Sequence, residues 1–515
     1  MNSNREIDAL LIYPKLGSMD SLVLDLPLSI LYAASESVKR GYRIKTIDLR
    51  GEDHNWREII QGYLDQGVLL AGVSVMTGSP LKYARNISEY IRVHSPSTKI
   101  VWGGPHATVV PETITQPFVD FLVRGYGSHA LAELIDCLIH DGQGIESVPG
   151  LSFMDNGQPH HNVRPSSHEI IHYRDIPYDL LDINAPKYSR TYNGRRMFPI
   201  FSSIGCPYRC SFCIHPRVYK LINGPKWLPY PNDEILEHIE YIIERYKAKH
   251  FVFIDDTSFP DLKRMRLLFE DLIAKQLDIT LEFRGARVNE IDRMDDSFLE
   301  LMVKAGGRIM MVGVESGSDR ILQKFQKGIT KEQVIRINQR LANYPELTLY
   351  YNFIYGTPGE TYDDLRETKD MVLQLLQENP NAYFGFGGDW KPIPGTKTLD
   401  IAEQEFGYKG PVSFDDWIAI DSSDSSTKVR HPWYTTKHNN LIKLMQVSSF
   451  VIDDKIIKES KGNNSMAFKL LRTMSRIYKP VAAFRLKNNL HHCMVEYKLW
   501  QFMLRQLPRL MAVLS

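Results

Sequence analysis

Residues 198–213 read Phe-Pro-Ile-Phe-Ser-Ser-Ile-Gly-Cys-Pro-Tyr-Arg-Cys-Ser-Phe-Cys. A short apolar run from Phe198 to Ser202, of strand length, leads directly into a loop that carries Cys206, Cys210 and Cys213. The same strand pattern returns at His250 to Ile254, Thr280 to Arg284, Ile309 to Val314, Thr348 to Tyr355 and Tyr383 to Gly387, with helical periodicity between most of these segments. Six successive strand-helix units predict a partial (β/α)6 barrel rather than a flat sheet, and the cysteine loop then sits at the carboxyl end of a barrel strand, where reactive sites collect.

Working outward, the first 150 residues alternate strands (Ala9 to Tyr13, Arg43 to Leu49, Leu69 to Val75, Lys99 to Trp102, Phe121 to Val123) with amphipathic helices such as Ser29 to Arg40 and Pro80 to Val93. That rhythm predicts a doubly wound parallel sheet, whose ligands lie outside the carboxyl ends of the strands. Those ends carry small, polar or glycine-rich turns: Ser74-Val75-Met76-Thr77-Gly78, Gly103-Gly104-Pro105-His106-Ala107-Thr108 and Arg124-Gly125-Tyr126-Gly127. The expected class is therefore α/β, organised as a sheet domain over 1–150, a Pro-, His- and Asp-rich connector over 151–190, a partial barrel over 191–400 and a mostly helical, basic region over 401–515. Residues 421–427, DSSDSST, read as a short flexible loop.

Composition narrows the function. Apolar residues at 43% and charged residues at 24% are those of a folded globular protein. Lys+Arg 62 against Asp+Glu 61 removes the global electrostatic argument for a nucleic-acid partner. Five cysteines cannot make a disulfide framework in 515 residues, and three of them within eight positions point to metal or redox chemistry in a reducing compartment. Arg5, Glu6 and Asp8 stand where a signal peptide would be apolar, so the expected location is the cytoplasm.

Three thiolates at spacing CxxxCxxC can hold three irons of a 4Fe-4S cubane and leave the fourth iron open to an exchangeable ligand. Cys137 and Cys493 are distant and isolated, and read as ordinary thiols. The competing reading is a structural zinc site built from the three cysteines and His215.

Cys206, Cys210, Phe212 and Cys213 match the CxxxCxΦC motif, Φ being aromatic, and here the chain resembles the radical S-adenosylmethionine superfamily. Gly313-Val-Glu315-Ser316-Gly317 resembles that family's GxES element beside the amino-acid and ribose parts of S-adenosylmethionine. Asn352-Phe-Ile354-Tyr-Gly356-Thr-Pro-Gly359-Glu360 resembles its fifth-strand adenine-binding element. The resemblance implies S-adenosylmethionine at Phe212, Arg287, Glu315, Ser316 and Gly356, cleaved to a 5'-deoxyadenosyl radical by an electron from the cluster. Arg284 and Arg287 are both placed to pair with the cofactor carboxylate or, alternatively, to make barrel-end salt bridges.

Pro27-Leu28-Ser-Ile-Leu31-Tyr32-Ala33-Ala34, Ile47-Asp48-Leu49 and the three turns above resemble the cobalamin-binding domain of class B, cobalamin-dependent members. This implies cobalamin against Ser74, Met76, Thr77, Gly103, Gly104, His106, Gly125 and Tyr126. Two departures stand out. The usual RGEGE turn has Tyr126 and Ser128 in its acidic positions, and no DxHxxG is present because Asp53 and His54 are adjacent. A histidine lower ligand of that type is not supplied, and His106 reads either as a cobalt ligand or as a pocket-lining or backbone-bonded imidazole.

The resemblance implies a methyltransferase acting on an unactivated carbon of a small-molecule or lipid-like substrate, supplied with electrons by a low-potential donor of flavodoxin or ferredoxin type. Cyclases, ring-contracting and other C–H functionalising enzymes, or a radical enzyme with a vestigial cobalamin domain, are the alternatives. No catalytic side chain is singled out, since hydrogen abstraction by a radical needs no general base. The stretch 464–515 holds nine Lys/Arg against Glu496 alone, interleaved with Phe468, Leu471, Tyr478, Phe484, Trp500, Phe502 and Leu504. That pattern suits peripheral membrane contact, closure over a greasy substrate, or simply a pair of packing helices.

Overall fold

The computed structural model describes residues 5–17, 20, 25–52, 54–384, 388–420, 431–454, 457–458, 466–492 and 495–498. The chain falls into two compact units, one of residues 1–256, 391–400 and 409–429, the other of residues 257–390, 401–408 and 430–515.

In the first unit β1 (Ile7–Tyr13), β2 (Ile44–Asp48), β3 (Val68–Ser74), β4 (Lys99–Gly103) and β5 (Phe121–Val123) run parallel in the order β2-β1-β3-β4-β5. Both faces are covered, which is why these strands are apolar along their length instead of alternating. Leu10, Ile12, Val73 and Trp102 pack with α2 (Trp56–Leu64) and α3 (Ser79–His94). Ala9, Leu11, Leu70 and Val101 pack with α1 (Leu28–Lys39) and α5 (Ser128–Ile139), the short α4 (Pro105–Val109) lying between β4 and β5 in the chain. The strand order reverses between β1 and β3, so connections diverge there and leave a crevice at the carboxyl edge.

The expected connector is more ordered than its composition suggests. β6 (Leu151–Asp155) and β7 (Gln158–His161) extend the sheet as an antiparallel hairpin, turned at Asn156 and Gly157 with φ of 46° and 78°. Asn-Gly is the residue pair that tolerates two positive φ angles in succession, and it returns at Asn193-Gly194 between β8 (Thr191–Tyr192) and β9 (Arg195–Ile200). β9 pairs in parallel with β12 (His250–Phe253), while β10 (Ser203–Gly205) and β11 (Trp227–Pro229) form an antiparallel ribbon at the base of the cysteine loop. Buried Asp255 fixes the exit of β9, accepting from the Ser202 and Ser203 backbone N–H groups at 2.7 and 3.0 Å and from the Ser202 hydroxyl at 2.7 Å.

In the second unit β13 (Thr280–Arg287), β14 (Gly307–Glu315), β15 (Thr348–Tyr355) and β16 (Ala382–Phe384) are parallel neighbours in chain order. The helix Leu262–Ala274 precedes β13, and Asp296–Lys304, Lys331–Leu341 and Tyr362–Glu378 intervene between the strands, the last two opened by capping boxes at Thr330 and Thr361. The helices Thr436–Ile452 and Met466–Lys487 then pack on one another. The fold class is α/β, as expected. Residues 385–387, the 421–427 loop, Cys493, Trp500, Phe502 and Leu504 lie outside the described residues.

Candidate functional site

A predominantly apolar cavity of about 560 Å3 occupies the carboxyl edge of the first sheet, within the first unit. Ser74, Gly103, Gly104 and Gly125, from the turns after β3, β4 and β5, line it. The strand entering the cysteine loop, Ser203 to Gly205, lines it too, together with Tyr126, Tyr219 and Asp256. One space thus touches both the glycine-rich turns and the segment immediately before Cys206.

The turns owe their closeness to glycine. Gly104 has φ +111°, and a Cβ there would lie 2.7 Å from the Val75 carbonyl oxygen. Only a residue without a side chain lets the turn after β4 pack on the turn after β3. Met76 and Thr77 belong to that second turn but do not line the cavity. His106, expected beside the cofactor, is also absent from the lining and is fully buried. Its Nδ1 lies 2.9 Å from the Thr77 hydroxyl and its Nε2 3.3 Å from the Thr113 hydroxyl, so both ring nitrogens have partners. Trp417 stands edge-on to the ring at 6.2 Å. Burial pushes the imidazole pKa down to about 4, which keeps it neutral.

Tyr126, in place of the acidic residue usual in this turn, donates its hydroxyl to His168 Nδ1 at 2.5 Å, and His168 Nε2 donates to the Pro225 carbonyl at 3.1 Å. The phenol therefore ties the turn after β5 to the segment closing the cysteine loop. Tyr219 donates to Asp256 Oδ2 at 3.0 Å, and His215 Nδ1 lies 3.3 Å from Asp256 Oδ1. His215 is thereby engaged by a carboxylate, and among the described residues no three His, Cys, Asp or Glu side chains converge on a single metal ion.

Cys206, Cys210 and Cys213 are thiols outside any disulfide. Their loop is closed by the β10–β11 ribbon, where Gly205 has φ +82° and a Cβ would fall 2.2 Å from the Lys226 carbonyl oxygen. Burial, reinforced by Cys210 and Cys206, pushes the Cys213 thiol up to about 12, although the His215 backbone N–H favours its thiolate. Three thiols at this spacing on one loop are a donor set suited to an iron–sulfur cluster.

The second unit collects Arg287, Glu315, Ser316 and Gly356; Phe212 belongs to the first. Glu315 ends β14 with φ +75°, rare for a side-chain-bearing residue, at a break in register with β15. Its carboxylate folds back over Gly313 to meet Lys327 Nζ at 2.8 Å, and both side chains are buried. Arg287 donates to the Lys327 carbonyl at 2.8 Å and to Asn289 Oδ1 at 3.2 Å, joining the same cluster. Arg284 instead makes an ion pair with Glu282 at 2.8 Å. Ser316 lies 3.3 Å from the Thr368 hydroxyl, and the Gly317 backbone N–H donates to Thr368 at 2.9 Å. The Gly356 N–H donates to Glu360 Oε2 at 2.8 Å, as does the Tyr434 hydroxyl at 2.7 Å, and burial lifts the Glu360 carboxyl to about 7.

Lys327, His168 and Tyr219 carry no motif and escape a single-sequence reading. Asp255-Asp256 could have been found, since paired acids at the carboxyl end of a barrel strand are a recognisable signal. The helix Phe414–Ala419 was equally hidden: Phe414 packs on Trp102 and Phe118, and Arg85 pairs with Asp415 at 2.6 Å, returning this distant segment to the first sheet.

Residues 200–372 match the model of the radical SAM superfamily, and residues 19–135 match that of the B12 binding domain. An uncharacterized methyltransferase of Pyrococcus horikoshii is 26% identical over 465 residues, covering 88% of this chain and 94% of that protein. The anaerobic magnesium-protoporphyrin IX monomethyl ester cyclase of Cereibacter sphaeroides is 25% identical over 287 residues, which is 54% of this chain but only 45% of the cyclase. Among solved structures, the cobalamin-dependent S-adenosylmethionine radical enzyme OxsB, with aqua-cobalamin and S-adenosylmethionine bound, aligns with a TM-score of 0.70 at 20% identity, over 97% of this chain and 75% of that one. A likeness at that identity speaks for the fold.

Proposed function

We propose that this chain, which belongs to the cobalamin-dependent radical S-adenosylmethionine family, methylates an unactivated carbon of a small-molecule or lipid-like substrate. The observation that carries this reading is an apolar cavity bounded by the glycine-rich turns on one side and by the approach to Cys206 on the other. The methyltransferase relative, similar over nearly the whole chain, supports the same outcome. When bound, the cluster and cobalamin supply, respectively, the electron that cleaves S-adenosylmethionine and the methyl group that is transferred.

The chain's own residues supply placement. Cys206, Cys210 and Cys213 would hold three irons and leave the fourth for S-adenosylmethionine. Phe212, Arg287, Glu315, Ser316 and Gly356 would hold that cofactor, and Ser74, Gly103, Gly104, Gly125 and Tyr126 would lie against the corrin. The His106 ring, with both nitrogens bonded to threonines, would prop the turn that holds Thr77 and supply no ligand of its own. The predominantly apolar lining offers a radical few polar groups to react with. Electrons would come from a flavodoxin- or ferredoxin-type donor in a reducing compartment.

Anaerobic turnover of the reconstituted enzyme with candidate extracts tests the reading. Methylated product, 5'-deoxyadenosine and S-adenosylhomocysteine should appear near one to one to one, and Cys206→Ala, Cys210→Ala or Cys213→Ala should abolish 5'-deoxyadenosine. Product that tracks 5'-deoxyadenosine while S-adenosylhomocysteine stays at background would replace methylation by cyclisation or another C–H reaction. Failure to retain cobalamin would indicate a vestigial domain.

A further inference from the structure

The helix Met466–Lys487 belongs to the second unit and takes no part in the chemistry above. Ser475, Ala482 and Leu486 are buried and define its inner face. Met466, Leu470, Met474, Ile477, Val481 and Phe484 follow one another at steps of four, four, three, four and three residues, so they form one continuous stripe on the opposite side. Each is between 41% and 83% exposed. Single exposed apolar residues are ordinary, but an uninterrupted stripe six residues long, spanning the helix from end to end, marks a surface built to be covered.

Charge identifies what covers it. The helix contains Lys469, Arg472, Arg476, Lys479, Arg485 and Lys487 and no Asp or Glu. Lys479 reaches inward to Asp454 at 2.5 Å. At about 100° per residue, Lys469, Arg476 and Lys487 fall together along one flank of the apolar stripe. An antiparallel second copy of the helix would bring like-charged flanks together, and a nucleic acid would leave the apolar stripe in water. A bilayer with anionic headgroups answers both features, taking the stripe at the level of the acyl boundary and the cations at its phosphates. No helix among the described residues is long and apolar enough to cross a membrane.

We infer that the outward face of the helix Met466–Lys487 docks on an anionic lipid surface, holding the protein peripherally at the membrane. This goes beyond the methyl-transfer reading and does not depend on it.

The test is sedimentation of the full-length protein with vesicles of phosphatidylcholine alone or of phosphatidylcholine mixed with phosphatidylglycerol, followed by sedimentation velocity without lipid. Binding at least tenfold tighter to the phosphatidylglycerol vesicles, weakening as salt rises, is expected, because each interfacial cation contributes roughly fivefold. The I477D/F484D variant should lose binding at least tenfold while retaining the far-UV circular dichroism and melting temperature of the parent. K469E/R476E/K487E, which leaves the apolar stripe intact, should erase the preference for phosphatidylglycerol. Equal binding to both vesicle types, no binding to either, or unaltered binding by both variants would overturn the inference. So would a lipid-free dimer that I477D/F484D converts to monomer, which would make the stripe an interface between copies.

Discussion

In the first unit the turns after β3, β4 and β5 offer a ligand small residues: Ser74, Gly103, Gly104 and Gly125 at the edge of an apolar space. In the second unit the corresponding strand ends offer charge, with Glu315, Lys327 and Arg287 joined in a buried cluster after β13 and β14. A bulky, largely apolar ligand is selected by the room left for it. A zwitterionic amino-acid group is selected by fixed charges. The first site should accordingly fail when volume is added and the second when charge is removed.

The largest effect is expected in the second unit. Glu315→Gln strands the buried Lys327 ammonium, at a cost of about 3–5 kcal/mol. Cleavage of S-adenosylmethionine should fall at least a hundredfold while cobalamin retention, read from its visible spectrum, stays unchanged. A parallel loss of cobalamin would break the comparison. Glu315→Gln combined with Lys327→Met should recover melting temperature but not cleavage.

Next, Gly104→Ala adds a Cβ 2.7 Å from a backbone oxygen at φ +111°. Strain and overpacking together amount to about 3 kcal/mol. The variant should lose cobalamin while its cluster absorbance at the three cysteines persists, and normal cobalamin retention would show that the turn can yield.

A smaller, pH-dependent effect separates His106 from a cofactor role. Its pKa is about 4 folded and 6.5 unfolded, so the unfolded chain binds the proton first. The stability it contributes is complete above pH 6.5 and is lost as pH falls toward 4, by up to about 3 kcal/mol. Melting temperatures of cofactor-free protein over that range should fall less steeply in His106→Gln, and identical slopes would contradict its neutrality.

The smallest expected change is Tyr126→Phe, which removes one hydrogen bond, about 1 kcal/mol. A slight rise in cobalamin dissociation with unaltered S-adenosylmethionine cleavage would place Tyr126 with the first site. An effect confined to cleavage would tie it to the cysteine loop through His168.

Much of this architecture was legible because its cause is local. Strands covered on both faces must be apolar throughout, so β1, β3 and β4 declared themselves within two residues of their ends. CxxxCxxC and the glycine turns are compact in sequence for the same reason that they are compact in space. The Asn-Gly turns at 156 and 193 were also there to be read, but lay hidden in a segment of polar composition. Lys327 and the helix Phe414–Ala419 were not legible. Their significance lies in long-range pairing, with Glu315 across a bulge and with Trp102 across some three hundred residues, and neither leaves a periodic trace.

The three-residue ribbon of β10 with β11 has a bearing on how the protein matures. Gathering the ends of a loop of about twenty residues costs on the order of 3 kcal/mol in chain entropy. Here main-chain pairing and the Asp255 carboxylate offset that cost with contacts that use no metal ligand. Maturation at the three cysteines should then follow folding instead of driving it. A chelator that strips the iron should leave the chain folded, and the same polypeptide should accept a new cluster without passing through a denatured state.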